Sequence, residues 1–383
     1  MSDNLKIEYA RAALMVNTSH VAGNIQAVRK LVNSHTMIMA VVKANGYGHG
    51  ALDISKAALC AGADWLGVAT VQEGLALRTA GISSPILVLS PVFTEEFDDL
   101  LQGGLTSTFF ALEACKKLSE AATRLGKTAA IHIKIDTGMN RVGYNSLNTE
   151  TIVSEVLAIR ALPNIEINGM YSHFAASDSN AAFTTEQFSR FMNVLKKLEQ
   201  AGVHIPIKHI SNSGGIINHP ECNLDMVRCG VLVYGLAPCS TPEGAAQLAN
   251  IGILPVLTLK SRVAHVKTVK NGESVGYSRN YNAKDDITVA TIPIGYADGI
   301  SRQLSNKGKV IINGKVCNII GNICMDQLMV DVTGADAKLR DEVTFIGQDG
   351  SYSISTEDIA TMQGSINYEV ATSMSLRIPT YYK

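Results

Sequence analysis

Met37-Ile38-Met39-Ala40-Val41-Val42-Lys43-Ala44-Asn45-Gly46-Tyr47-Gly48-His49-Gly50 opens with an unbroken apolar run and closes on a glycine-rich turn. A short apolar run bounded by turn residues reads as a strand buried on both faces. The same pattern recurs along the chain. Met37–Lys43, Trp65–Thr70, Pro85–Ser90, Leu105–Phe110, Ala129–Asp136, Ile167–Phe174, Ile207–Ser211 and Met226–Tyr234 are candidate strands, most followed by a helix or loop. Alternating β and α elements imply parallel strands. Eight of them imply a closed (β/α)8 barrel of the TIM type, with a doubly wound open sheet as the rival.

One helix can be specified further. Thr184 and Gln187 form a T-x-x-Q capping box. Phe188, Phe191, Met192, Leu195 and Leu198 then make one apolar stripe that packs on a sheet, and Gly202 ends the helix. Beyond the Pro/Gly/Ala-rich stretch Ala237–Gln247 the texture changes to successive strand-like runs, such as Ile287–Ile294 and Lys309–Ile312. Asn271-Gly272 and Asn313-Gly314 are hairpin-turn signals. The expected division is therefore an α/β barrel over 1–241 and a mostly β C-terminal domain over 242–383.

Composition limits the function classes. The formal net charge of the 383 residues is −1, with no block of either sign, which argues against nucleic-acid or anionic membrane partners. No apolar run is long enough to span a bilayer, and the opening MSDNLKIEYARAAL lacks the features of a signal peptide. A cytoplasmic location is the expectation. The cysteines are odd in number and contain no C-x-x-C, so neither disulfides nor a thiolate zinc site is expected. His49, His132, His204, His209 and His219 show no metal-ligand spacing and read as structural or exposed; no metal is expected.

Chemistry concentrates first at Lys43. A lysine at the end of an apolar strand is partly desolvated, which lowers its pKa and frees the amine as a nucleophile. In a barrel the C-terminal strand ends carry catalysis. A surface lysine closing a strand is the plainer alternative. The segment Ala40–Gly50, however, closely resembles the cofactor-lysine motif of the alanine racemases. The resemblance continues through Lys134-Ile135-Asp136-Thr137-Gly138-Met139-Asn140-Arg141-Val142-Gly143, Tyr171-Ser172-His173-Phe174, Ser211-Asn212-Ser213-Gly214-Gly215 and Val227-Arg228-Cys229-Gly230-Val231. In the second domain it covers Val275-Gly276-Tyr277, Pro293–Gly299, Cys324-Met325-Asp326-Gln327 and Ile366-Asn367-Tyr368-Glu369.

That resemblance implies a homodimer with shared active sites that interconverts L- and D-alanine on pyridoxal 5′-phosphate and supplies D-alanine for peptidoglycan. It implies Lys43 and Tyr277 as the two bases. Tyr47, His173, Asn212, Ser213, Arg228, Gly230, Val231 and Tyr368 would surround the cofactor with Lys43. Arg141 and Met325 would meet the substrate. Arginine keeps its proton, so Arg228 would not convert the cofactor's ring nitrogen into its protonated form, as a carboxylate would. A weaker electron sink favours proton removal and return over transamination. A tyrosine base needs nearby positive charge, because its free pKa is about 10; the resemblance offers Arg141 and a His173–Arg228 chain.

Lys134 resembles a position carbamylated in some family members, with a plain salt bridge as the alternative. Asp298 and Asp326 read as turn or supporting residues. The sequence departs from the family at Asn322, where many relatives carry arginine, and at Asn140, where glycine is frequent. A racemase of serine or a broader amino-acid set is the nearest alternative. A barrel-type decarboxylase is disfavoured by Arg228, and a non-catalytic cofactor carrier by the second domain.

Overall fold

The computed structural model describes residues 11–383; most of the opening stretch read against a signal peptide lies outside the described residues. The chain forms two compact units. One comprises Val21–Cys239 with Ile251–Ile253; the other comprises residues 11–20, Ser240–Asn250 and Leu254–Lys383.

The first unit is a parallel barrel of β1 (Met37–Val41), β2 (Trp65–Val68), β3 (Ile86–Pro91), β4 (Thr106–Phe109), β5 (Ala129–Asp136), β6 (Ile165–Tyr171), β7 (Ile207–His209) and β8 (Met226–Cys229). The sheet order is β8-β1-β2-β3-β4-β5-β6-β7. Asp225 N–H donates to the Lys208 carbonyl at 3.1 Å and Arg228 N–H to that of Ser211 at 3.0 Å, which joins the first and last strands of that order and nearly closes the ring. Burial on both faces explains the long apolar runs. Met39, Trp65, Leu87 and Met226 form one buried cluster from four strands. Above them the buried side chains become polar: Thr108, His132, Lys134, His209 and Arg228.

The helix after β6 differs in detail from its sequence reading. It runs Ala181–Gln200, and its cap is Asn180, whose side chain accepts Phe183 N–H at 3.0 Å. Thr184 and Gln187 therefore lie inside the helix and are buried. The core stripe is Thr184, Gln187, Phe191, Val194, Leu195 and Leu198, and Met192 faces solvent. Asn180 takes the cap because its backbone is non-helical just ahead of the helix, which lets its side-chain oxygen reach an N–H of the first turn.

The second unit is built on an antiparallel sheet. Its strands are β9 (Leu257–Arg262), β10 (His265–Val269), β11 (Ile287–Ile292), β12 (Lys309–Ile312), β13 (Lys315–Ile320), β14 (Leu328–Asp331) and β15 (Glu342–Asp349). They are ordered β10-β11-β14-β13-β12-β15-β9, followed by Ala12–Val16 and Thr380–Tyr382. Asn313 (φ 51°) and Gly314 (φ 66°) make the two-residue turn of the β12–β13 hairpin. Asn271-Gly272 makes a turn but no hairpin: β10 pairs with β11, while Ser274–Val275 pairs with Tyr281–Asn282. Ala12–Val16 belongs to this sheet rather than to the barrel, pairing with β9 from Ala12↔Ser261 to Val16↔Leu257. No helix among the described residues is long and apolar enough to cross a membrane.

Candidate active site

Lys43 follows β1 at its C-terminal end. Burial lowers its pKa, the Arg141 charge lowers it further, and Glu73 opposes both. Behind it the backbone turns left-handed through five successive residues, Ala44 (φ 52°), Asn45 (52°), Gly46 (61°), Tyr47 (51°) and Gly48 (80°). Non-glycine residues in this region carry a steric cost, and such strain persists only where surrounding contacts impose it. Those contacts are visible. Ala44 N–H donates to Glu73 Oε1 at 2.7 Å, Asn45 Oδ1 accepts Ala51 N–H at 3.1 Å, and Gly48 N–H donates to the Ala44 carbonyl at 3.0 Å. His49 is fully buried and its Nδ1 lies 2.8 Å from the Tyr47 carbonyl, so the proton sits on Nδ1. It is a structural residue of this turn.

The turn delivers Tyr47 to a cradle made by β7 and β8. Ser213 Oγ accepts Gly230 N–H at 3.1 Å and Leu232 N–H at 3.4 Å. A Cβ placed on Gly230 would meet Tyr47 Oη at 3.4 Å and Ser213 Oγ at 3.8 Å. Two hydroxyls and a backbone N–H thus converge on a space that only glycine leaves open. Val231 begins the one-turn helix Val231–Tyr234 directly after it. Asn212 acts one step back from the cradle. Its Oδ1 accepts Gly215 N–H at 2.9 Å and Ser177 Oγ–H at 2.7 Å, capping the short helix that presents Ser213.

Arg228 is buried beneath this cradle. Its Nη2 donates to the Ser172 carbonyl (2.7 Å), the Ile210 carbonyl (2.9 Å) and His173 Nδ1 (2.9 Å), and Nη1 donates to His209 Nδ1 (2.7 Å). Burial lowers the arginine to about 10, so it stays cationic at neutral pH. Burial and the Arg228 charge hold His173 and His209 far below the usual imidazole range. Because arginine has no acceptor, both imidazoles accept at Nδ1 and carry their proton on Nε2. One N–H of Nη1 and the Nε–H have no acceptor among the described residues and are available to a ring nitrogen.

Lys134 is buried, donates to the Ile135 carbonyl at 2.8 Å and is lowered to about 7 by burial and by Arg228. No carboxylate pairs with it among the described residues, so a plain salt bridge does not describe it. Arg141 is exposed. Asn140, beside it, has φ 56°, the left-handed conformation that glycine and asparagine tolerate best; this accounts for asparagine where relatives use glycine. Asp136 Oδ1 accepts Gly138 N–H and Asn140 N–H at 2.9 and 3.1 Å, fixing that turn.

In the second unit three of the sequence motifs converge. Tyr296 N–H donates to the Cys324 carbonyl at 3.1 Å and Ala297 N–H to that of Met325 at 3.0 Å. Asn322 Nδ2 donates to the Tyr277 carbonyl at 2.8 Å, while its Oδ1 accepts Asn280 Nδ2–H at 2.7 Å. Asn322 thus braces the loop of Tyr277. The Tyr277 side chain is 70% exposed and Met325 53%. Tyr368 lies on the helix Asn367–Thr372 and is half-buried. Asp298 is a buried structural carboxylate held by Arg11 through both oxygens, at 2.7 and 2.9 Å.

Sequence reasoning misses four supporting residues. Glu73 lies on the helix after β2, where it closes a Thr70-x-x-Glu73 capping box; that spacing signals the cap but not the bond to Ala44. Gln187 reads as a cap residue, yet its Nε2 donates to Thr137 Oγ1 and to the His173 carbonyl, both at 3.1 Å. His132 and His209, which read as structural or exposed, are buried and lie in contact at 2.9 Å. The alternation His132-Ile133-Lys134 is the available signal, since it places both polar side chains on one face of β5.

A strand-end lysine of lowered pKa, a donor cradle and a buried donor-only arginine on one barrel define a pyridoxal-phosphate enzyme of the barrel class. Family models confirm and narrow this: the alanine racemase N-terminal domain matches residues 16–238 and the alanine racemase C-terminal domain residues 256–382. The chain belongs to the alanine racemase family. It is 45% identical over 365 residues to an alanine racemase of Clostridium perfringens, covering 95% of this chain and 93% of that protein. The solved alanine racemase of Clostridium difficile 630 superposes with a TM-score of 0.92 at 36% identity, covering 99% of this chain and 97% of that one. A histidine racemase from Leuconostoc mesenteroides superposes at 0.87 with 28% identity, covering 99% of this chain and all of the other.

Proposed function

We propose that this chain interconverts L- and D-alanine in the cytoplasm, supplying D-alanine for peptidoglycan, with Lys43 carrying pyridoxal 5′-phosphate. The observation that carries the reading is that Lys43, just beyond β1, and Arg228, near the end of β8, come from two strands adjacent in the barrel. Ser213, Gly230, Val231 and Tyr47 would receive the phosphate, whose charge suits a cradle of N–H and O–H donors. Arg228 would donate to the ring nitrogen, oriented by His173, His209 and two carbonyls. When bound, the cofactor supplies delocalisation for the electron pair left at the substrate α-carbon.

The chain's own groups then move one proton. Lys43, its amine freed by desolvation, removes or returns the α-proton on one face, and Tyr277 serves the other. Positioned bases of this kind contribute about 10²–10⁴-fold each. Arg141 meets the substrate carboxylate and Met325 borders the substrate. We place Tyr277 in the site of a partner subunit, so that a homodimer holds two composite sites. The Leuconostoc histidine racemase shares the architecture, so the barrel by itself does not select the side chain, and a broader racemase of serine and other amino acids is the second reading.

The test is a chiral assay of protein loaded with pyridoxal phosphate. L-Alanine should approach an equal mixture of enantiomers, faster than L-serine or L-histidine at equal concentration. Loaded protein that leaves L-alanine unchanged, or that turns over another amino acid faster, overturns the assignment.

A further inference from the structure

We propose that His132 is a positioning residue for the ring-nitrogen contact, acting on Arg228 through His209. This rests on the cofactor role of Arg228 given above. Arg228 can only donate, so His209 Nδ1 accepts and its proton sits on Nε2. His209 Nε2 lies 2.9 Å from His132 Nδ1, so His132 must accept there and carry its own proton on Nε2. One donor direction therefore runs from Arg228 through His209 to His132. The opposite tautomer of His209 would set an N–H against the arginine's N–H, and His132 supplies the acceptor that disfavours it.

The arrangement is built rather than incidental. All three side chains are buried; the His132 Nε2–H that this direction requires has no acceptor among the described residues, a cost set against the larger one of turning an N–H toward the arginine. The His209 ring is stacked on Tyr171 at 4.7 Å and 7°, and Arg228 Cζ lies 5.1 Å over the same tyrosine ring. Tyr171 is itself held by Thr108 Oγ1 at 2.9 Å and the Leu89 carbonyl at 3.2 Å. On the other side, His132 lies against Gly169 of β6. A Cβ at Gly169 would meet Cε1, Nε2 and Nδ1 of the ring at 2.7–2.8 Å. Glycine at 169 reserves the volume in which His132 lies flat. Trp65, with its ring centroid 5.5 Å away, packs against the same imidazole.

The consequence is geometric. Arg228 has two N–H groups left for a ligand, and their aim depends on the four contacts that hold the guanidinium. Three of these are to carbonyls or to His173; the fourth depends on the tautomer of His209, and hence on His132.

Histidine ¹⁵N spectra of the cofactor-free protein test the chain directly. In wild type His209 and His132 should both be neutral Nε2–H tautomers. His132→Leu, which removes the acceptor, should disturb the His209 signals. In loaded protein it should weaken cofactor binding on the order of ten-fold, as expected if the charge-assisted bond from Arg228 to His209 is lost with the tautomer. It should also shift the absorption of bound pyridoxal phosphate and lower kcat more than it raises KM. His132→Asn, whose Oδ1 can accept near the Nδ1 position, should restore much of each. Arg228→Leu is the reference. If it changes absorption and affinity while His132→Leu changes neither, the relay is overturned and the arginine's role stands. If neither variant changes them, both readings fall. An Nδ1–H tautomer of His209 in wild type overturns the relay without any variant, so a His132→Leu protein that fails to fold leaves the proposal refutable.

Discussion

Glu73 holds three peptide N–H groups with its two carboxylate oxygens: Oε1 accepts from Ala44 and Oε2 from Ala69, each at 2.7 Å, and Oε2 also from Thr70 at 3.3 Å. The first belongs to the left-handed turn after Lys43, the second to the end of β2. One side chain therefore fixes the strained turn against a neighbouring strand and, by its charge, raises the Lys43 pKa that burial lowers. Glu73→Gln removes the charge and one acceptor. The Ala44 bond is exposed, so the cost should be about 1 kcal/mol, that of an ordinary hydrogen bond. The Lys43 midpoint, followed by pH-dependent amine labelling and mass spectrometry of cofactor-free protein, should move down. A midpoint that stays put or rises would show that Glu73 does not act on this lysine.

Gly230 supports a sharper test, because an added Cβ there would meet only the hydroxyls of Tyr47 and Ser213. Its Cβ contacts at 3.4 and 3.8 Å are ordinary, so Gly230→Ala should fold as wild type does. The methyl group would nevertheless sit among Tyr47, Ser213 and the Gly230 N–H, where a phosphate is proposed. Cofactor affinity, measured by absorbance titration, should fall at least about ten-fold, while the melting temperature of cofactor-free protein stays level. Undiminished affinity for pyridoxal phosphate would move the phosphate elsewhere.

Buried histidines set the acid side of stability. His49 and His132 are lowered by burial to about 4 and about 3, against about 6.5 in an unfolded chain. Above pH 6.5 they are neutral in both states and contribute nothing to the pH dependence. Below it the unfolded chain binds protons that the folded chain refuses, so stability falls by about 1.4 kcal/mol per pH unit for each, down to the folded pKa. His49→Asn retains a donor for the Tyr47 carbonyl and removes one such group. Between pH 6.5 and 5, urea unfolding should show the variant losing about 2 kcal/mol less than wild type. Parallel losses would mean that His49 titrates normally in the folded state.

Much of the architecture is legible because burial leaves a local trace. Strands covered on both faces read as apolar runs, and Lys43 stands out as the charge that ends one. Asn313-Gly314 specifies its hairpin through the left-handed conformations that those two residues favour. What escapes depends on distant partners. Ala12–Val16 looks like any apolar strand, and only its ladder to β9 places it in the second sheet. Asn271-Gly272 has the same local signal as the true hairpin, but its flanking strands pair with others. Thr184 and Gln187 imitate a cap although Asn180 lies upstream, so a residue that braces His173 reads as part of a helix end. Gly169 has no motif, and Glu73 reads only as half of a Thr70-x-x-Glu73 capping box, since each acts at the site through a side chain or backbone that the fold brings to it.

The proposed sharing of sites between subunits yields the last prediction. Tyr277 lies on a loop of the second unit, is 70% exposed and has its carbonyl pinned by Asn322. An exposed tyrosine on a braced loop suits a group offered to another chain. Lys43→Ala and Tyr277→Phe proteins should each be nearly inactive, since each site loses one of its two bases. Unfolding and refolding an equal mixture forms heterodimers. In each heterodimer one site collects both substitutions, while the other receives Lys43 from one chain and Tyr277 from its partner. Activity should return to a ceiling of about one quarter of wild type if pairing is random and sites act independently. Differently tagged chains, purified in tandem, verify the heterodimers and raise the expected ceiling to about one half. Fully loaded heterodimers without activity would place both bases within a single chain and end the shared-site model.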